Sequence, residues 1–287
     1  MRSRVTSLLL AALRRAQPNR TVMVSEYTVT PAARWGWGEP AHERLAALFA
    51  RGEGRYASAI DRLVAGIPTL SEVERHADPP APSWDNDFWG GLDAAFGYLA
   101  IADRRPATYL EVGSGYSTML ARRAVDSHSP DARIVSVDPN PRAEIDALCD
   151  EVIRKPLEEA GPGVADRIRA GDVIVIDGSH MATMGSDTVV ALLELLPELP
   201  AGVLVAIDDV FLPWDYHPTW VERWYGEQYI VAALLLGGGA GYEIVFPGLY
   251  VTQHPELAPK LEPLWPVVGT RFGKVAGTLW LERPDAG

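Results

Sequence analysis

The run Tyr109-Leu110-Glu111-Val112-Gly113-Ser114-Gly115-Tyr116-Ser117-Thr118 constrains this chain more than any other. It reads as a buried strand, an acidic residue, a glycine-rich turn and the start of a helix. Glycine tolerates positive φ and lets backbone amides approach a bound molecule, while Ser114, Ser117 and Thr118 can cap the helix that follows. An ordinary strand-to-helix connection would look similar, so the reading depends on the neighbouring segments.

Those segments agree. Ser117 to Val125 reads as a helix, and Arg133-Ile134-Val135-Ser136-Val137-Asp138 as a second buried strand ending in a carboxylate. In doubly wound sheets an acid at that strand tip accepts hydrogen bonds from the ribose hydroxyls of a nucleoside ligand. Asp138 lies 25 residues beyond Gly113, a spacing that suits a nicotinamide cofactor or S-adenosylmethionine. A dinucleotide fingerprint needs a third glycine where Thr118 stands, which weakens the pyrophosphate reading. Glu111, two residues before the first glycine, would repel a diphosphate but could orient an ammonium, directly or through water.

On these residues the chain resembles the class I S-adenosylmethionine-dependent methyltransferases, whose first motif is an acidic residue followed by a GxG turn. The resemblance spans roughly residues 84–282 and implies a Rossmann-like, doubly wound α/β sheet of seven strands with the last antiparallel. Cofactor contacts are expected at Glu111, Gly113, Ser114, Gly115, Ser117, Asp138 and Asp177. Asp172 to Asp177 and Gly202 to Asp209 are continuous apolar runs suited to central parallel strands, which are buried on both faces. Ser186 to Leu199 and Trp220 to Leu236 read as helices, and Tyr242 to Phe246 with Gly277 to Leu281 as a closing pair of strands.

Ligands in open parallel sheets bind beyond the carboxyl ends of the strands. Two acidic clusters fall there: Asp177-Gly178-Ser179-His180 and Asp208-Asp209. Adjacent strands lie about 4.8 Å apart, so Asp177, Asp208 and Asp209 could converge on one hard cation such as magnesium. His180, three residues past Asp177, is placed to face the substrate. With an ordinary pKa near 6.5 it could serve as general base toward a hydroxyl. This arrangement resembles the metal-dependent sugar O-methyltransferases of natural-product pathways, in which a DGxH segment and a following acidic pair supply ligands and base. The stretch from Asp208 to Tyr229 also resembles a large methyltransferase branch that commonly carries histidine at the Asp208 position. Trp214, Tyr216 and Trp220, just past the fifth strand, are expected to wall the acceptor.

The chain of 287 residues carries a formal net charge of −12, which argues against a partner tracked through its phosphates. A small-molecule acceptor is therefore expected. The single cysteine, Cys149, excludes an internal disulfide and suits a reducing cytoplasm. The apolar run from Leu8 to Leu13 is too short to span a membrane, and Met1 to Arg20 reads as an amphipathic helix packing on the body or on a second copy in a homodimer. Residues 1–82 are expected to form a mainly helical extension, a lid or a dimer contact, with a strand-like stretch at 21–30 and helices at 41–50 and 56–65. A proline-rich link at 78–82 leads into the catalytic domain at 83–287.

The function expected is transfer of a methyl group from S-adenosylmethionine to a hydroxyl of a small metabolite of secondary metabolism, with magnesium as an optional helper. The alternatives keep the cofactor and change the chemistry: methylation of nitrogen or carbon, or cyclisation of S-adenosylmethionine itself.

Overall fold

The structure is a computed structural model that describes residues 27–284, with residues 12 and 15. It divides into two units, Met1–Ala32 and Ala33–Gly287. In the first, the expected helix at 1–20 lies outside the described residues except for positions 12 and 15, which are helical. The expected strand at 21–30 is described only from residue 27, where the chain is irregular.

The second unit is built on a seven-stranded sheet: β1 (Thr108–Val112), β2 (Arg133–Val137), β3 (Glu151–Ile153), β4 (Val173–Ile176), β5 (Leu204–Ile207), β6 (Glu243–Pro247) and β7 (Leu279–Glu282). Spatial order is β3-β2-β1-β4-β5-β7-β6. The first five strands run parallel, and β7 inserts antiparallel between β5 and β6. The expected last antiparallel strand is thus present. Every residue of β1, β4 and β5 is buried, as the unbroken apolar sequences of β4 and β5 require of strands covered on both faces; β1 also buries Thr108 and Glu111.

Register places the ends of the central strands side by side: Val112 pairs with Ile176, and Ile176 with Ile207. The residues that follow, 113–118, 177–180 and 208–209, therefore emerge along one edge. The connection order reverses between β1 and β4, which is where a doubly wound sheet opens a crevice.

Helices α1 (Glu43–Ala50) and α2 (Glu53–Ala65) pack on α6 (Glu227–Leu236) and β6, and their Phe49, Tyr56 and Ile60 belong to the same apolar core as the sheet. Helices α3 (Gly91–Arg104) and α4 (Tyr116–His128) pack against each other, and α5 (residues 187–198) begins at the capping side chain of Ser186, which accepts from the Val189 amide.

Two elements differ from the sequence reading. The expected helix from Trp220 to Leu236 is a 3-10 turn at Pro218–Arg223, a left-handed Trp224 and then α6. Gly226 ends the break, and its amide donates to the carbonyl of His180 (2.8 Å), tying this corner to the β4 edge. Strand β3 has no counterpart in the apolar runs, because its three residues are only half-buried.

Candidate active site

The glycine turn is shaped by close backbone approach. Gly113 has φ +83°, and its amide donates to the Val137 carbonyl (3.0 Å). A methyl group on its Cα would collide with the carbonyl oxygen of Asp177, so the tips of β1 and β4 close only over glycine. The Ser114 amide donates to Oδ2 of Asp138 (2.7 Å), and the Asn140 amide to Oδ1 (2.7 Å). Each carboxylate oxygen keeps a free lone pair at the tip of β2, the position from which ribose hydroxyls are read.

Glu111 is wholly buried under this turn. Tyr109 donates its hydroxyl to Oε1 (2.9 Å), and Thr118 donates to Oε2 while accepting from the Gly115 amide (3.0 Å). Burial raises the Glu111 pKa to about 7 against the bonds from Ser117, Thr118 and Tyr109 that lower it. The threonine that stands where a dinucleotide fold has its third glycine thus links the acid to the turn.

Asp177 joins this turn to a cavity of about 700 Å³: its backbone closes on Gly113, and its carboxylate lines the space together with His180, Asp208 and Asp209. His180 is 2% exposed. Its Nδ1 meets Glu227 Oε2 at 2.8 Å, and its Nε2 meets Asp177 Oδ1 at 3.2 Å and Asp209 Oδ2 at 3.5 Å. Glu227, at the first turn of α6, is 1% exposed, and its amide donates to the His180 carbonyl (3.1 Å). Burial alone would lower the His180 pKa, but the bonds to Asp177 and Glu227 and the charges of Glu227 and Asp209 outweigh it and hold it well above 6.5. That direction favours the protonated ring, among three carboxylates, over the neutral imidazole expected of a general base.

Burial raises the pKa of Asp208, helped by the charges of Asp177, Asp209 and Asp93. Burial also lifts Asp209 to about 6, against the lowering effect of His180. Thr278 donates its hydroxyl to Asp208 Oδ1 (2.5 Å), and Asp93 accepts from the amides of Gly277 (2.8 Å) and Thr278 (3.0 Å), which anchors β7 to this floor. His180 (φ +58°) and Asp209 (φ +53°) are both held in the left-handed region, an uncommon state for such side chains that surrounding contacts must enforce.

The carboxylates were expected to converge on a hard cation. Asp177 and Asp209 instead point at the His180 ring and Asp208 at Thr278, and among the described residues no group of three or more His, Cys, Asp or Glu is arranged to hold a metal. The donor types suit magnesium, but this arrangement does not fit it.

Of the expected aromatic wall, only Trp220 lines the cavity. Trp214 packs behind it on Tyr250 and against Gly36, and Tyr216 is buried among Phe211, Trp220, Tyr225 and Tyr229, its hydroxyl accepting from the Gln228 amide (3.2 Å). Both sit outside the lining, while Phe211 and His217 of the same segment reach the cavity. The wall facing the cavity includes Trp37, Phe88, Trp89, Phe211, Tyr225 and Phe272. Trp37 escaped the sequence reading, and Glu227 entered it only within the stretch from Asp208 to Tyr229, with no role of its own. The Trp-Gly-Trp-Gly run at 35–38 and the acid opening a helix after Gly226 were their only signals.

Cys149 is half-buried, donates to the Ile145 carbonyl (3.3 Å) and has its thiol pushed up to about 12 by burial, which leaves no nucleophile there.

A protein-family model described as a methyltransferase domain matches residues 110–210, a span from β1 to just past β5 that contains the glycine turn, Asp138, Asp177, His180, Asp208 and Asp209. No curated protein matches the chain. Among solved structures, the chain is similar to the O-methyltransferase from Bacillus cereus in complex with SAH (S-adenosylhomocysteine), at 14% identity over 79% of this chain and 90% of that one, with a TM-score of 0.44. It is also similar to MycE, a methyltransferase of mycinamycin biosynthesis in complex with Mg, SAH and mycinamycin VI, at 16% identity over 78% of this chain and 56% of that one (TM-score 0.43). A third is CalO1, a methyltransferase of calicheamicin biosynthesis with SAH bound, at 16% identity over 74% and 75% (TM-score 0.34).

Proposed function

We propose that this chain, a class I S-adenosylmethionine-dependent methyltransferase by its matched domain and strand order, methylates a hydroxyl of a small acceptor held in the cavity beside the glycine turn. The observation that carries this reading is the position of Asp177. Its backbone closes on the cofactor turn, while its carboxylate joins His180 and Asp209 on the floor of a space large enough for a small metabolite.

The residues present suit the cofactor. The turn leaves no side chain over Gly113, Asp138 keeps acceptor capacity for two hydroxyls, and Glu111 places a buried carboxyl under the turn. When bound, S-adenosylmethionine supplies a methyl group on an electrophilic sulfonium. The protein has to hold the acceptor oxygen in line with that methyl and take its proton.

Asp209 is the group best placed to take it. A carboxyl held near 6 is mostly ionised at neutral pH yet basic enough to accept, and the imidazolium of His180 at 3.5 Å orients it and offsets charge on the floor. With the cofactor held there, the acceptor oxygen would gain the methyl carbon as its bond to sulfur broke, and Asp209 would take the proton. Glu227 holds the His180 ring from the far side.

The test is release of S-adenosylhomocysteine from S-adenosylmethionine across a panel of hydroxylated metabolites, with mass spectrometry locating the new methyl. Product methylated on oxygen is expected. Methyl on nitrogen or carbon, or cofactor consumed with no acceptor present, would replace this reading by one of its alternatives.

A further inference from the structure

Residues 33–40 form a strap whose attachment serves no part of the chemistry described so far. Asp215, 4% exposed, pins it: Oδ2 accepts from the amides of Arg34 (2.6 Å) and Trp35 (3.2 Å), and Oδ1 accepts from the Tyr229 hydroxyl (2.8 Å). The Asp215 amide donates back to the Trp35 carbonyl (3.1 Å), and the Trp37 indole donates to the Asp215 carbonyl (2.9 Å). Gly36, at φ +75°, seats against Trp214, where a Cβ would collide with the indole ring.

All of this delivers one side chain. Trp37 lines the acceptor cavity, stands edge-on to His217 with centroids 4.6 Å apart, and remains 44% exposed. Its backbone has φ +57°. Among the described residues six non-glycine positions have positive φ, and three of them, Trp37, His180 and Asp209, line this one cavity. A bulky residue in that region is uncommon and persists only where its surroundings over-determine it, and an exposed indole held so firmly has unspent surface for a ligand.

We infer that Trp37 is a specificity-determining wall of the acceptor site, that Asp215 is its positioning residue, and that the acceptor presents a flat ring face to the indole. The inference rests on reading the cavity as the acceptor site. Indole faces recognise both aromatic rings and the C–H faces of sugar rings, and Trp220 and Phe211 on the same cavity extend the ring-binding surface.

The experiment is a calorimetric titration of the protein loaded with S-adenosylhomocysteine, using 4-nitrophenyl β-D-glucopyranoside as probe because it carries both ring types. W37A and D215A should each weaken the probe by about tenfold, the effect of one lost aromatic wall. Binding of S-adenosylhomocysteine should stay within about twofold of wild type in both. D215N should recover most of the affinity, since its remaining oxygen can accept from both backbone amides while its amide donates to Tyr229. Titrations with 4-nitrophenol and with methyl β-D-glucopyranoside then assign the recognised face to the aromatic or the sugar ring. No binding of any of the three to wild type, or unchanged probe affinity in W37A, overturns the proposal. Parallel loss of S-adenosylhomocysteine binding in D215A reduces Asp215 to a fold-holding residue and overturns its positioning role. These readings need no turnover, so they stand or fall apart from the methyl-transfer assay.

Discussion

Replacing Glu111 by glutamine tests whether a charge is buried beneath the cofactor turn. The unfolded chain titrates this carboxyl near 4.5, and burial holds it at about 7 in the fold. Between those values the native state binds more protons than the unfolded state, so stability falls as pH rises from 4.5 to 7. Below 4.5 both states are protonated and nothing is lost; above 7 the deficit is complete. At about 1.4 kcal/mol for each tenfold in proton affinity, the ionised carboxylate costs the fold about 3 kcal/mol at pH 8 and about 1 kcal/mol at pH 5.

Glutamine is nearly isosteric and can keep both contacts, its oxygen accepting from Thr118 and its amide donating to the Tyr109 hydroxyl oxygen. E111Q should therefore exceed wild type in stability by about 1 kcal/mol at pH 5 and by about 3 kcal/mol at pH 8 in urea unfolding. Asp93 and Asp209 also have raised pKa values, but both proteins carry them, so they cancel in the difference. A gap that does not widen with pH, or an E111Q protein less stable at pH 8, would refute the reasoning. Calorimetry with S-adenosylhomocysteine gives the functional half: a carboxylate that attracts the ligand's ammonium should release a proton on binding at pH 7 in wild type and none in E111Q.

Other residues of the site give further outcomes. Gly113→Ala must force alanine to φ +83° and part the tips of β1 and β4, so a loss of about 2–4 kcal/mol, or roughly 3–7 °C in the thermal midpoint, is expected with weakened cofactor binding. An unchanged melt would mean the turn has slack. With Asp209 as base, kcat/KM should rise with pH, level off above about 6, and fall by about 10²–10⁴ in D209N. A profile flat from pH 5 to 7 would remove that role. Because Asp177 and Asp209 are engaged by His180 and Asp208 by Thr278, EDTA should leave turnover unchanged, and loss restored by magnesium would show that the floor rearranges to bind an ion.

What the sequence made legible follows from how each feature is determined. Strands β4 and β5 announce themselves as apolar runs because every residue in them is buried, and β1 and β2 do so less cleanly because Thr108, Glu111, Arg133 and Ser136 interrupt theirs. Their ends then locate the acidic clusters, since a doubly wound sheet always presents those ends to the ligand. Strand β3 is half-buried and three residues long, so it leaves no such trace. The break at Trp224 is equally silent, because a left-handed φ of +58° at a tryptophan runs against local propensity.

Charge states were beyond reach for a further reason. The ordinary pKa of histidine describes His180 in water, whereas in the fold it is shifted by burial, by Asp177 three positions before it, by Glu227, 47 positions away on α6, and by Asp209 at the end of β5. A residue's identity is local, but its proton affinity is a sum over everything the fold brings within a few ångströms and over the water it excludes. Trp37 obeys the same logic, since Asp215, which fixes it, lies 178 positions away. Sequence pattern finds the residues that can do chemistry where the backbone itself must bring them to an edge. It misses the partners that decide what those residues do, because a buried acid opening a helix and a tryptophan between glycines have many bland uses until the tertiary contacts select one.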